Sequence, residues 1–185
     1  MEDFPVLRTE RLVLRDFEDS DAQAVFDIFS LDSVTKYVDS ETMQSVEEAA
    51  KKITSRINLF KDGHGIRWGI TLRGLGNTII GSCGFYLLNR HWFSCEIGYE
   101  LHPQYWRRDI MTEALTAIIN FGYSDRFFFH LNRIQALTYE YSEPSIGLLK
   151  KLGFQEEGIR REYTYWKNHF HDLQCFSLLR RDWAT

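Results

Sequence analysis

Between Phe93 and Tyr123 the hydrophobic period switches from two residues to about 3.6, and this switch constrains the fold more than any other feature of the chain. Phe93, Cys95, Ile97, Tyr99 and Leu101 occupy odd positions and are largely apolar, whereas the even positions include Glu96, Gly98 and Glu100. That alternation predicts a strand with one apolar face. From Arg107 to Tyr123, Ile110, Ala114, Ala117, Ile118 and Phe121 form the stripe of an amphipathic helix. A strand feeding a helix through a short loop calls for a sheet that the helix covers, a mixed α/β layer.

The flanking sequence extends the pattern. Leu7 to Arg15 reads as a strand. Asp19-Ser20-Asp21 offers an N-cap for a helix through Ala22, Val25, Phe26 and Phe29. Ser45-x-x-Glu48 resembles a capping box, opening a helix through Ala49, Ile53 and Ile57 that ends before Asp62-Gly63. Ile66 to Leu72 and Thr78 to Leu88 read as a hairpin around Gly74-Leu75-Gly76-Asn77. Arg133 to Tyr139 is strand-like, Ser142 to Leu152 is a short helix closed by Gly153, and Phe154 to Trp166 and Phe170 to Leu179 are strands around Lys167-Asn168. No repeat or linker divides the 185 residues, so one domain over 1–185 is expected.

Composition narrows the function classes. The net charge of -4 disfavours a nucleic-acid partner and fits a cationic one better. Three cysteines, Cys83, Cys95 and Cys175, without a C-x-x-C pair suit neither a disulfide framework nor a zinc site. The acidic start Met1-Glu2-Asp3 lacks the basic region of a signal peptide, and Leu115 to Tyr123 is too short to span a bilayer. A soluble, cytoplasmic protein is expected. His169 and His171 share a strand face without an evident third ligand, so no metal is expected.

Two segments carry candidate chemistry. In Leu101-His102-Pro103-Gln104-Tyr105-Trp106-Arg107-Arg108-Asp109-Ile110-Met111-Thr112-Glu113 a strand runs into a helix start. Unpaired N–H groups and a positive dipole end there suit an anion, with Arg107 and Arg108 beside them, although ordinary helix starts look the same. In Ser142-Glu143-Pro144-Ser145, Ser142 is most simply a cap, and Ser145 lies one turn further along, where a hydroxyl could face a ligand.

Taken in order, these pieces resemble the GNAT N-acetyltransferases, most closely the RimJ/RimL type that acetylates N-terminal amines of ribosomal proteins. Leu7 to Arg15 looks like the opening strand of that family, and Glu96-Ile97-Gly98-Tyr99-Glu100-Leu101 like its central strand. Asn132-Arg133-Ile134 with Leu152-Gly153-Phe154 looks like its later half, and Tyr163 and Asp172 fit the closing strands.

The resemblance implies a mostly antiparallel twisted sheet with a splayed central strand pair, helices on both faces and acetyl-CoA as donor. The pyrophosphate motif of the family is glutamine or arginine, two residues, glycine, one residue, then glycine or alanine. Gln104 matches its first position, while Arg107 and Asp109 replace the glycines. Asp109 sets a carboxylate where backbone should approach phosphate. Ile110, Met111 and Thr112 complete the implied donor site, and backbone N–H near Leu101 would polarise the thioester. Ser142 stands where relatives often carry a CoA-contacting Asn, and Ser145 fits a serine expected to protonate the leaving thiolate. Glu96 matches a frequent acidic position and is the implied base, with Gly98 leaving room for the acceptor and Glu100 as the local competitor. Tyr163, Tyr165, Trp166 and Phe170 are candidate walls of an acceptor site or sheet packing. The favoured acceptor is a protein N-terminal α-amine, such as that of a ribosomal protein. A polyamine, amino acid or aminoglycoside is the alternative, and a non-catalytic CoA-sensing module is the rival that Asp109 supports.

Overall fold

The computed structural model describes residues 3–36, 41–74, 76–139 and 141–183; Met1, Glu2 and Leu75 of the expected hairpin turn lie outside them. The strands are β1 (Leu7–Arg8), β2 (Leu12–Arg15), β3 (Ile66–Leu72), β4 (Gly81–Asn89), β5 (Ser94–Leu101), β6 (Arg133–Tyr139), β7 (Gln155–Trp166) and β8 (His169–Leu179). The helices are α1 (Ala22–Phe29), α2 (Asp32–Thr35), α3 (Val46–Lys61), α4 (Ile110–Gly122) and α5 (Glu143–Lys151). The strands form one eight-stranded sheet in the order β1-β2-β3-β4-β5-β6-β8-β7. β5–β6 is the parallel pair, and α4 makes the crossover that such a pair needs.

Helices cover both faces. Cys95, Ile97 and Leu101 of β5 join Ile110, Ala114 and Ile118 of α4 and Leu149 of α5 in the larger buried cluster. A second cluster gathers Val25, Ile28 and Phe29 of α1 with Ala49 and Ile53 of α3. The odd-numbered face of β5 therefore packs under α4 and α5. Its even-numbered face looks toward α3, whose Arg56 reaches Glu100.

Three boundaries depart from the sequence reading by more than one residue. Leu7 to Arg15 is not one strand: β1 and β2 pair antiparallel with Leu7 opposite Leu14, around a turn at Thr9-Glu10-Arg11. Glu113 of α4 holds that turn, accepting from the Thr9 hydroxyl, from Arg11 N at 2.9 Å and from Arg11 Nε at 2.6 Å. β4 begins at Gly81 rather than Thr78. α4 begins at Ile110 rather than Arg107, because Arg107 and Asp109 hold left-handed backbone at φ 58° and 56°. Lys167-Asn168 behaves as read, with both residues at positive φ, as a tight hairpin turn demands.

The β5–β6 pair opens. Ser94, Cys95 and Glu96 pair with Arg133, Ile134 and Gln135, and the pairing stops there. β5 continues along β4 to Leu101 opposite Gly81, while β6 follows β8 to Tyr139 opposite Leu173. The two strands thus diverge beyond Glu96, leaving a wedge in the sheet.

Candidate active site

The backbone edge facing the wedge follows from the pleat. His102 N–H donates to Ile80 O at 2.9 Å, so even positions of β5 turn their backbone groups toward β4. Phe93 O accepts from Asn132 and Arg133, so odd positions turn toward β6. The N–H and C=O groups of Tyr99 and Leu101 therefore face the opening, beyond the last paired residue of β6. The Leu101 carbonyl is taken by Trp106 Nε1 at 2.7 Å, which leaves its N–H as the group turned to the opening.

Next to this edge lies the start of α4. The first intrahelical bond runs from Glu113 N to Asp109 O at 3.0 Å, so the N–H groups of Ile110, Met111 and Thr112 precede it without an acceptor in the helix. The side chains of Ile110 and Met111 are buried in the core, so only backbone is presented there. Arg107 and Arg108 are exposed, the latter with its guanidinium 5.9 Å from the Tyr105 ring centroid. Gln104 is exposed as well.

Asp109 occupies the N-cap position of α4. Its carboxylate makes no cap bond to the helix; Lys151 of α5 holds it at 2.6 Å and Thr112 Oγ1 approaches at 3.4 Å. Lys151 lowers its pKa, and most of the side chain stays in solvent. The backbone at 107 and 109 nonetheless has the left-handed form that glycine would adopt, so the turn keeps its shape while both side chains point outward.

Ser142 also differs from its simplest reading. It stands at the N-cap position of α5, yet its side chain makes no cap hydrogen bond and the residue is buried. Ser145 Oγ lies 2.6 Å from the Tyr99 hydroxyl. Burial pushes the Tyr99 phenol up to about 12, so it stays protonated at neutral pH. Tyr99 was read only as an apolar strand residue. Its phenol on a core-facing position was the signal, since a buried tyrosine hydroxyl needs a partner.

A cavity of about 560 Å³ opens on the other face of β5, lined among others by Glu96, Gly98, Glu100, Arg56, Arg67, Tyr86 and Tyr163. Ser145 and Tyr99 also border it, so the cavity reaches through the wedge. Of the proposed aromatic walls only Tyr163 lines it; Tyr165 and Phe170 pack edge-on against each other, and Trp166 stacks with Tyr139 and His171.

The two glutamates differ sharply. Burial raises the Glu96 carboxyl above its usual range, against the pull of Arg160 and a hydrogen bond from Tyr86. Glu100 is buried as well, yet Arg67 and Arg56, helped by Ser82 and Lys52, hold it down at about 2. Arg56 Nη2 donates to Glu100 at 2.7 Å, and Arg67 and the Ser82 hydroxyl donate to the same carboxylate. A carboxylate so held is a poor proton acceptor. The room over Gly98 is smaller than expected: an added Cβ would lie 3.0 Å from Tyr86 Cε1 and 3.3 Å from Arg67 Nη1.

Sequence reasoning missed Arg56 and Arg67. Arg56 stands three residues after Ile53 and seven after Ala49, on the apolar stripe of α3. A cation on such a stripe signals a buried partner.

Residues 11–155 match the family described as Acetyltransferase (GNAT) domain. The chain belongs to the GNAT acetyltransferases. A Bacillus subtilis relative described as the uncharacterized N-acetyltransferase YoaA is 38% identical over 177 residues, covering 96% of this chain and 98% of the relative. The Escherichia coli [ribosomal protein uS5]-alanine N-acetyltransferase is 31% identical over 107 residues, covering 57% of this chain and 54% of that protein. Among solved structures, RimL, the ribosomal L7/L12 alpha-N-protein acetyltransferase in complex with coenzyme A, superposes with a TM-score of 0.82 at 20% identity, covering 95% of this chain and 98% of that one. The eight-stranded, mostly antiparallel sheet and the helices of this GNAT acyltransferase match the fold of these neighbours. No helix of the described residues is long and apolar enough to cross a membrane.

Proposed function

We propose that this GNAT enzyme moves the acetyl group of acetyl-CoA to a primary amine, with the α-amine of a protein N-terminus, such as that of a ribosomal protein, as the favoured acceptor. One observation carries the reading: the β5–β6 wedge joins a free backbone edge and a helix start on one side to a buried, proton-accepting carboxylate on the other. The residues suit acetyl-CoA. The edge at Tyr99 and Leu101 offers N–H and C=O groups to an extended, amide-bearing chain. The N–H groups of Ile110, Met111 and Thr112, with Arg107 and Arg108 nearby, suit a pyrophosphate. Asp109 no longer opposes it strongly, because Lys151 compensates the carboxylate and the backbone already has the glycine form. Gln104 and Ser142 lie within the same segments as further donor contacts. Acetyl-CoA supplies an activated thioester.

The protein groups then divide the work. Glu96 takes the proton that the attacking ammonium must lose, directly or through water. The Leu101 N–H polarises the carbonyl whose carbon receives the amine nitrogen. As the C–S bond breaks, Ser145 gives its proton to the sulfur and recovers one from Tyr99 or solvent. No covalent enzyme intermediate is required. All eight strands join one sheet, which supports a single domain over 1–185. The free thiols of Cys83, Cys95 and Cys175 suit a reducing cytoplasm.

The ribosomal reading rests on the named activities of the uS5 and L7/L12 enzymes, which this chain matches more distantly than YoaA. A free-thiol release assay with acetyl-CoA and a panel of N-terminal peptides, polyamines, amino acids and aminoglycosides tests it. A gain of one acetyl group on a peptide α-amine is expected. Turnover confined to polyamines or aminoglycosides refutes the protein-acceptor reading.

A further inference from the structure

The acceptor cavity carries a charge imbalance that the acetyl-transfer chemistry does not use. Arg56 and Arg67 both ion-pair with Glu100, their shared carboxylate among the described residues. The side chain of Arg56 is 8% exposed and that of Arg67 14%, so water does little to solvate the second positive charge. Burial lowers Arg56 to about 10, still charged at neutral pH, so the cluster keeps a net positive charge. Lys52 and Ser55 line the same cavity. Glu96 does not balance the cluster: its cationic neighbour is Arg160, and the Tyr86 hydroxyl occupies part of its carboxylate. A desolvated cation without its own anion is costly, and the cost disappears when a ligand brings the anion.

Geometry sets the separation. Arg67 Nε is anchored on Ser82 Oγ at 2.8 Å and Nη2 on Glu100, which leaves Nη1 directed over Gly98. Gly98 follows Glu96 by two residues on the same strand face, a rise of about 7 Å. An amine held at Glu96 and an anion held at Arg67 would therefore belong to one small molecule, or to the first residue or two of a peptide.

Building on the acetyltransferase reading, we infer that the acceptor bears a carboxylate about 7 Å from its reactive amine, beyond the reach of an α-carboxylate, and that Arg67 and Arg56 bind that carboxylate. The overall charge of -4 points toward cationic partners, but the lining of the cavity selects the opposite. Two sources share this chemistry: a free acidic amino acid, through its side-chain carboxylate, and a protein N-terminus with Asp or Glu in its first two residues.

Matched acceptors provide the test. Glutamate against glutamine, and peptides opening with Asp or Glu against their Asn or Gln counterparts, are compared for kcat/KM with acetyl-CoA. Acids are expected to exceed amides by about tenfold or more, equivalent to ~1.4 kcal/mol. The free or peptide pair that shows the larger ratio identifies the source. In Arg67→Gln, Arg56 and Glu100 remain as a one-to-one pair; the preference should collapse through a higher KM for acids, whereas Arg67→Lys should retain most of it. Binding is read without turnover by adding succinate, which should raise the melting temperature of the wild-type and Arg67→Lys proteins but not of Arg67→Gln. Equal rates on acids and amides, or no stabilisation by succinate, overturns the inference. A protein that succinate stabilises but that acetylates no amine keeps the anion site and refutes the acetyl-transfer reading instead.

Discussion

Replacing Glu100 by Gln should unfold this protein more easily than any other single change at the site. Two guanidiniums and the Ser82 hydroxyl converge on its carboxylate, which is buried. Its pKa falls from 4.5 to about 2, a gap worth about 3 kcal/mol of stability at neutral pH. Breaking a buried pair from one side costs a similar ~3–5 kcal/mol, because the partner charges stay buried. At roughly 2–4 °C per kcal/mol for a chain of this size, the melting temperature should drop by about 6–12 °C. The sign with pH follows from the depressed value: the contribution is complete above 4.5 and is lost as pH falls toward about 2. Thermal and urea unfolding of both proteins at neutral pH and across the acid range measures this directly. The curves should lie far apart at neutral pH and converge on acidification. A neutral-pH difference under about 2 °C, or one that does not narrow in acid, refutes the assignment of Glu100 as the anchor of the two arginines.

Glu96→Gln should behave in the opposite way. Its raised pKa means that ionisation costs stability as pH rises, so the variant should melt at or above the wild-type temperature while kcat falls by roughly 10²-fold. The same raised pKa should place the acid limb of wild-type kcat/KM above the ordinary glutamate value, and that limb should vanish in the variant. Tyr99→Phe and Ser145→Ala should each lower kcat less than Glu96→Gln, and the double variant should be no worse than either single one, because the two hydroxyls act as one unit. Asp109→Gly should fold as well as the wild type and bind acetyl-CoA at least as tightly by calorimetry, whereas Asp109→Ala should melt lower, since alanine is strained at φ 56°.

Much of the fold was legible because its periods are clean. β5 and α4 could be read from alternation and from an apolar stripe, and Lys167-Asn168 from turn chemistry. The break between β1 and β2 was hidden because Thr9-Glu10-Arg11 contains no glycine, proline or asparagine, and the turn is held by Glu113, a hundred residues away in sequence. The start of α4 was read too early because left-handed backbone at Arg107 and Asp109 leaves no mark in side-chain polarity. The rivalry between Glu96 and Glu100 could not be resolved from one strand, since the difference lies in Arg56 on α3 and Arg67 on β3. Lys151, which meets Asp109 across the fold, was equally invisible to a local reading.

The most direct test of the account is an acetyl-CoA titration of isotopically labelled protein, followed by backbone amide resonances. The proposed donor path runs along the open edge of β5 and over the start of α4. The amides of Tyr99, Leu101, Ile110, Met111 and Thr112 should therefore shift together and saturate with one affinity, while those of β1 and β2 stay unmoved. Saturable binding that shifts other amides and leaves Tyr99 and Leu101 unchanged, or no binding at all, would contradict it.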